Sequence, residues 1–509
     1  MMGHWILVPI VLPAIAAPAI VLLAREDIVL ARIFSFASAL LVLGTAIALL
    51  LASAGGPPEM YALGNWPAPF GIVVVLDRLS AIMVLLTSLL AVVVLVYAGA
   101  GWDRRGRHFH ALLQFQLMGL NGAFLTGDVF NLFVFFEVLL ISSYGLMLHG
   151  AGAGRFKAGF QYVVVNLVGS TLFLFAVGMI YAVTGTLNMA DLAVRVPQVA
   201  AADLALLQAG GTLLLLVFAI KAALVPVHFW LVGTYSSASA PVAALFAIMT
   251  KVGAYSIIRV YTLIFGAGAG ESTWLAEPWL MPAALVTLVV GTIGVIAAAT
   301  LGRLVAFAVI ASMGTLMIAV AVFTPQAMSA ALYYLLHSTI AGAALFMIVG
   351  LVRERRGVHG DFIVATVRFR DSDLLSALFF LAAIAMIGLP PLSGFIGKLL
   401  ILDGSRDNYA VGWIWTVILV TSMVMTIGFA RAGSRLFWKS VVAEAVEEPA
   451  GPPTLLPVFA TGAVVLLTVA LTAFAGPVSG FLDATAMQIF DTATYIDAVL
   501  RPTALAAGR

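Results

Sequence analysis

Val217–Val260 reads VFAIKAALVPVHFWLVGTYSSASAPVAALFAIMTKVGAYSIIRV. Two lysines, Lys221 and Lys251, interrupt sequence that is otherwise apolar enough to cross a membrane. Pro226, five residues past the first lysine, breaks its helix, and His228 follows two positions later. A lysine at the centre of a membrane helix costs about 2.5–3.5 kcal/mol on insertion scales, so it marks a functional position by default. A broken helix at membrane depth is tolerated only against protein or a water-filled cavity. The stretch therefore predicts a polytopic helical membrane protein with an ion path through its interior.

Composition agrees. Of 509 residues, 63% are hydrophobic and 9% charged, against about 25% charged in soluble domains. Mean hydropathy is +1.13, and such a chain cannot cover a water-facing surface. A net charge of +2 gives no footing for nucleic acid. The absence of cysteine excludes disulfides, thiol chemistry and cysteine-ligated iron–sulfur clusters. The N-terminal run MMGHWILVPIVLPAIAAPAIVLLARED carries its first arginine after the apolar stretch. That order predicts a first span with its N-terminus outside rather than a cleaved signal peptide.

At about 20 apolar residues per span, the chain divides into about fourteen helices, near 5–23, 28–52, 72–100, 109–126, 128–149, 158–184, 204–232, 236–265, 277–300, 303–323, 328–352, 373–402, 410–436 and 454–476. An even number puts both termini outside. Sixteen of the 25 basic residues then fall in inside loops and four outside, as the positive-inside rule requires. The expected fold class is an all-α membrane protein. After the last span, Ser479–Leu500 mixes apolar residues with Asp483, Asp491 and Asp497, which fits either an interfacial helix or a frayed tail.

A second interrupted helix stands at IGLPPLSGFIGKLL, Ile387–Leu400, where Pro390, Pro391, Gly394 and Gly397 surround Lys398. The breaks lie in spans seven and twelve, five apart and oppositely oriented. That pattern predicts two inverted five-helix repeats, spans 4–8 and 9–13. The expected organisation is helices 1–3 in 1–107, the first repeat in 108–265, the second in 277–436, and helix 14 with the tail in 454–509. Lys221 precedes its proline and Lys398 follows its own, so the lysines are not strict equivalents.

Glu137, in FNLFVFFEVLLISSYGLML, is expected near mid-membrane and paired with Lys221. Desolvation disfavours an ammonium and a nearby carboxylate favours it, so such a pair could load a proton and pass it on. Lys251, His337 in YYLLHSTIAGAALF, and Lys398 continue the titratable series, with His228 auxiliary as a helix-end hydrogen-bonding residue. Unpaired lysines suit a path on which protons come and go. Asp77 and Arg78 are expected at the outer start of span three in a structural role. Arg259 is expected to snorkel to the surface, and Asp361 to lie on it. No phosphate-cradling loop, metal array or nucleotide fingerprint is present, and no cofactor is expected.

These residues carry a resemblance. FFEVLLISSYGLM, IKAALVPVHFWL, SAPVAALFAIMTKVGAYSIIRV and IGLPPLSGFIGKLLIL together resemble the proton-conducting membrane subunits shared by Mrp-type multisubunit cation/proton antiporters, respiratory complex I and membrane-bound hydrogenases. The resemblance spans nearly the whole chain, with its core near residues 110–430. Leu63–Thr87 resembles the D-type subunits of the Mrp group. The resemblance implies a hydrated axis on which Glu137, Lys221, Lys251 and Lys398 relay protons and His337 links two half-channels. It also implies Na⁺ or another monovalent cation as co-substrate, and a bacterial cytoplasmic membrane shared with a large A-type subunit and small subunits. A redox-coupled pump subunit of complex I or a hydrogenase is the alternative.

Overall fold

The computed structural model describes residues 3–369, 371–439 and 455–501. A 3₁₀ turn leads into α1 (Val8–Leu23), and α2 (Ile28–Ala54) returns. The next loop folds into a hairpin, β1 (Glu59–Ala62) against β2 (Val73–Leu76). Then follow α3 (Arg78–Ala98), α4 (Phe109–Leu125), α5 (Val129–Leu148), α6 (Ala153–Thr184) and the short α7 (Met189–Arg195). The interrupted pair α8 (Leu204–Ala222) and α9 (Phe229–Ser237) precedes α10 (Ala240–Phe246) and α11 (Met249–Leu263). The second half runs α12 (Glu277–Ala297), α13 (Leu301–Val320), α14 (Pro325–Arg355), α15 (Ser372–Ile387), α16 (Ser393–Gly404) and α17 (Val411–Gly433). It ends with α18 (Leu455–Ala473), α19 (Ala475–Phe490) and α20 (Thr492–Leu500).

Twelve helices among the described residues are long and apolar enough to cross a membrane. The remaining expected spans fall on α4, which has 17 residues, and on the interrupted α15–α16. Helices begin where a short polar side chain can satisfy free amides. Asp27, Asp77, Asp128, Thr300 and Thr324 cap α2, α3, α5, α13 and α14 in this way.

The core is itself apolar helix. α10, α11, α13 and α14 are buried almost along their whole length, and α14 touches α3, α10, α13, α15, α16, α18 and α19. Small residues let these helices approach closely. A Cβ on Gly291 would lie 2.5 Å from the Ala311 backbone, and one on Gly314 would lie 2.4 Å from that of Leu288, which locks α12 to α13. The rim is lipid-like, with Leu22, Leu167, Met423 and Phe459 exposed on α1, α6, α17 and α18.

Several expectations are corrected. Arg259 does not snorkel: it is 5% exposed and its Nη2 lies 2.6 Å from Asp77 Oδ2. At that depth its counter-ion is nearer than water. Asp361 is buried, accepting from Gly302 N at 2.9 Å and pairing with Arg353. The region after the last span is no frayed tail. α19 packs on α14, α11 and α3, with Asp483 accepting from Ser329 Oγ at 2.5 Å, and Tyr495 of α20 is buried against Arg259. Within the span expected at 236–265 the helix tightens at 247–248, where Ala247 and Ile248 keep helical backbone angles but bond three residues back rather than four, just ahead of Lys251.

Candidate functional site

Both predicted breaks are present, and in each a side chain from beyond the break donates to a carbonyl before it. α8 ends as Ala223 takes a left-handed conformation (φ 54°), and α15 ends at Gly388 (φ 84°). In the first break Trp230 Nε1 donates to Ile220 O at 3.0 Å. In the second, Lys398 Nζ donates to Ile387 O at 2.7 Å and to Ser422 Oγ of α17 at 2.7 Å. The second half of each broken helix therefore reaches back to its first half, by an indole in one case and by the ammonium in the other. That accounts for the unequal positions of Lys221 and Lys398 about their prolines. In the first break Trp230 frees Lys221 to turn elsewhere.

Lys221 turns to α6. Its Nζ donates to Asn166 Oδ1 at 2.9 Å, while Asn166 Nδ2 donates to Tyr162 O at 2.8 Å. Glu137 on α5 accepts from Ser170 Oγ, one turn along the same face of α6. The direct Glu137–Lys221 contact expected from sequence is thus replaced by two neutral side chains of α6. Phe136 lies beneath the ammonium, its ring centre 5.8 Å from Nζ. Between Lys221 and α11, a cavity lined by Tyr162, Asn166, Trp230, Met249 and Val252 leaves 10 Å³, about the space one water requires.

Lys251, 1% exposed, lies in the first turn of α11 with only Met313 Sδ of α13 at 3.4 Å. Gly253 makes its position possible, since a Cβ there would come within 2.6 Å of Ala222 N and 3.0 Å of Lys221 C. α11 therefore rests on the α8 terminus that carries Lys221. His337, wholly buried on α14, holds Ser393 Oγ of α16 at 2.9 Å through Nδ1, and its Nε2 has no partner. His228, at the start of α9, leaves its Nδ1 without a partner.

Four of the six candidates, on α8, α11, α14 and α16, are buried, and Glu137 on α5 is half-buried. Among the described residues no carboxylate forms an ion pair with the three lysines. Neutral acceptors hold them instead, so a proton can leave without an ion pair being broken. The connecting residues Asn166, Ser170, Met313, Ser393 and Ser422 went unread in the sequence. Asn166 and Ser170 carried a signal, as polar residues spaced i, i+4 in an apolar helix share one face. The described residues contain no cluster that could hold a metal ion.

The family described as NADH:quinone oxidoreductase/Mrp antiporter, TM, matches residues 126–426. The chain is 39% identical to the D-type subunit of a probable K⁺/H⁺ antiporter of Rhizobium meliloti, over 98% of each chain. It is 34% identical to the D-type subunit of the Na⁺/H⁺ antiporter of Bacillus subtilis, over 98% of this chain and 100% of that one. Among solved structures, a chain of the Mrp complex from Dietzia sp. DQ12-45-1b superposes with a TM-score of 0.87 at 28% identity, covering 98% of this chain and 100% of that one.

Proposed function

The chain belongs to the NADH:quinone oxidoreductase/Mrp antiporter membrane family, and from that premise we propose that it is the proton-conducting D-type subunit of a multisubunit monovalent cation/proton antiporter. The observation that carries this reading is the set Lys221, Lys251, His337 and Lys398, all buried, with the half-buried Glu137, each except Lys251 held by a neutral hydrogen-bonding side chain. Its partners are other membrane subunits, a large A-type subunit and small subunits. The chain is part of a secondary transporter rather than an enzyme. Near-full-length relatives named as antiporter subunits support coupling to a cation gradient over coupling to a redox reaction.

Protons pass between Glu137 and Lys221, which Ser170 and Asn166 hold on one face of α6, and on from Lys221, beside the one-water cavity, to Lys251. His337 and Ser393 then connect to Lys398. Lysines rather than carboxylates stand along the candidate path, and that chemistry supports the proton side of the exchange for this subunit. One break lies in each half of the path, 108–265 and 277–436, in keeping with inverted repeats. The setting is a bacterial cytoplasmic membrane with both termini outside, which the bias of basic loops supports.

The test is Lys221→Ala and Glu137→Ala in the intact complex, assayed for exchange in inside-out vesicles. Loss of exchange in each, with subunits assembled normally, is expected. Near wild-type exchange in both would sink the mechanism. Flux measured with Na⁺, K⁺ and Li⁺ in turn identifies the cation, since the relatives' names divide between Na⁺ and K⁺.

A further inference from the structure

The loops joining α1 to α2 and α3 to α4 meet on one face around a pocket of 240 Å³, outside the proton path. Arg25, Arg104 and Arg107 stand in its wall with His108 and His110. Two carboxylates share that wall. Asp103 is already engaged, as Arg32 Nε donates to it at 2.6 Å and His110 Nε2 lies 3.2 Å away. That leaves Glu26 against three guanidinium groups, none of which forms an ion pair among the described residues.

A second observation points to a ligand. His110 is 2% exposed and lines the pocket, yet its Nδ1 has no hydrogen-bond partner. Buried polar atoms in native proteins are nearly always satisfied, by protein, water or a bound group, and this one is open to a partner from the pocket. The surroundings narrow its chemistry. The pocket is floored by Ile20, Ile28 and Ala31. Beside it, Leu22, Leu23, Val29 and Ile33 of α1 and α2 are more than half exposed. A cluster of guanidiniums bordering an open aliphatic strip complements a phosphate ester that carries acyl chains.

We propose that this pocket binds the phosphate of an anionic phospholipid, with Arg25, Arg104 and Arg107 on the headgroup and the acyl chains along Leu22, Leu23, Val29 and Ile33. Guanidinium is suited to phosphate by its fixed fork of donors. Basic pockets between membrane helices on the cytoplasmic side hold such headgroups, and the excess of basic loops puts this pocket on that side. A soluble phosphate offers the arginines the same oxygens but gains nothing from the aliphatic strip. Bound there, the lipid would tie α1–α2 to α4, whose Phe109 and His110 form part of the same wall.

Native mass spectrometry of the intact complex tests this, after delipidation and titration with phosphatidylglycerol vesicles. Each basic residue near a membrane surface contributes about fivefold to anionic-lipid affinity. R104Q/R107Q is therefore expected to bind the lipid about 25-fold more weakly than wild type. R25Q, on the other loop and away from the Asp103 turn, is expected to lose about fivefold. R303Q, at the start of α13 and outside the pocket wall, should bind as wild type does, and excess inorganic phosphate should not displace the lipid. Equal lipid affinity in wild type, R104Q/R107Q and R25Q overturns the proposal. Displacement by inorganic phosphate overturns the lipid in favour of a soluble anion.

Discussion

Asn166 and Ser170 stand one helical turn apart on α6, and each holds one of the two charged groups of the first half-path. Asn166 Oδ1 accepts from Lys221 Nζ at 2.9 Å, and Ser170 Oγ donates to Glu137. A carboxylate and an ammonium in contact would trap each other's charge. Held apart by an amide and a hydroxyl, they still act on one another, with a strength that falls as their separation grows. α6 is therefore the element whose movement would set how strongly Glu137 holds a proton on Lys221.

Asn166→Leu is expected to lower exchange by about tenfold or more, because a hydrogen bond to a charged group contributes about 1.5–3 kcal/mol. Ser170→Ala should cost less, about threefold to tenfold, and Ser170→Thr should restore most of the rate. Dye-monitored proton flux in inside-out vesicles measures all three. A wild-type rate in Asn166→Leu would remove the amide from the path.

The second half-path depends on the end of α15. Gly388 has φ 84°, and a Cβ there would lie 2.8 Å from Lys398 Cδ. Gly388→Ala should therefore strain the backbone by about 1–3 kcal/mol and push Lys398 off the Ile387 carbonyl. Exchange should fall at least as far as in Lys398→Ala, whereas Ser422→Ala, which leaves that carbonyl bond intact, should fall only severalfold. Parity of Gly388→Ala with wild type would detach the break from the function.

The all-helical membrane fold was legible because apolar runs of span length are long-range signals carried in local composition. The breaks at Pro226 and at Pro390–Pro391 were legible for the same reason, since proline and glycine act on the backbone where they stand. The tightened turn at 247–248 was not, because Ala247 and Ile248 are ordinary helix residues. Partner choice was equally hidden. Arg259 and Asp77 are 182 positions apart, and no local pattern joins them. The candidate residues stood out by type, as charged and titratable groups in apolar helices, but their hydrogen bonds to Asn166, Ser170, Ser393 and Ser422 belong to the tertiary fold.

Gly253 offers a packing test. Its missing side chain lets α11 lie on the end of α8, where a Cβ would meet Ala222 N at 2.6 Å and Phe218 O at 2.8 Å. Backbone atoms cannot give way as a side-chain tip can. Gly253→Val should therefore separate Lys221 from Lys251 and cost about 1–3 kcal/mol by overpacking. Thermal unfolding of the detergent-solubilised complex and vesicle exchange should both decline, with Gly253→Ala intermediate. Unchanged melting and exchange in Gly253→Val would refute the close approach.

Asp103 gives a pH dependence. Burial pushes its carboxyl up, but hydrogen bonds from His110 and Arg32 outweigh this and hold it well below the usual carboxylate range. The folded state thus releases this proton more readily than the unfolded chain. Its contribution to stability is complete above about pH 4, the ordinary aspartate value, and is lost as pH falls through the depressed folded value. Asp103→Asn should flatten the acid limb of a melting-temperature profile between about pH 4 and pH 2. An unaltered acid limb would show that the carboxylate is not held in this way.

The buried Asp77–Arg259 pair ties the start of α3 to α11, the helix whose other end carries Lys251, and Arg259 also lies 5.2 Å from the Tyr495 ring centre of α20. Removing one partner leaves a charge without its counter-ion, which costs about 3–5 kcal/mol, whereas replacing both by apolar residues is often neutral. Asp77→Ala should accordingly destabilise the complex strongly, and Asp77→Leu/Arg259→Met should recover the ion-pair part of that loss but not the α3 cap, about 1 kcal/mol. If the pair serves only to fasten α11, exchange should recover along with stability in the double variant. A double variant that melts like wild type yet no longer exchanges ions would give these two charges a part in conduction, and would extend the path from Lys251 along α11 to the face sealed by α19 and α20.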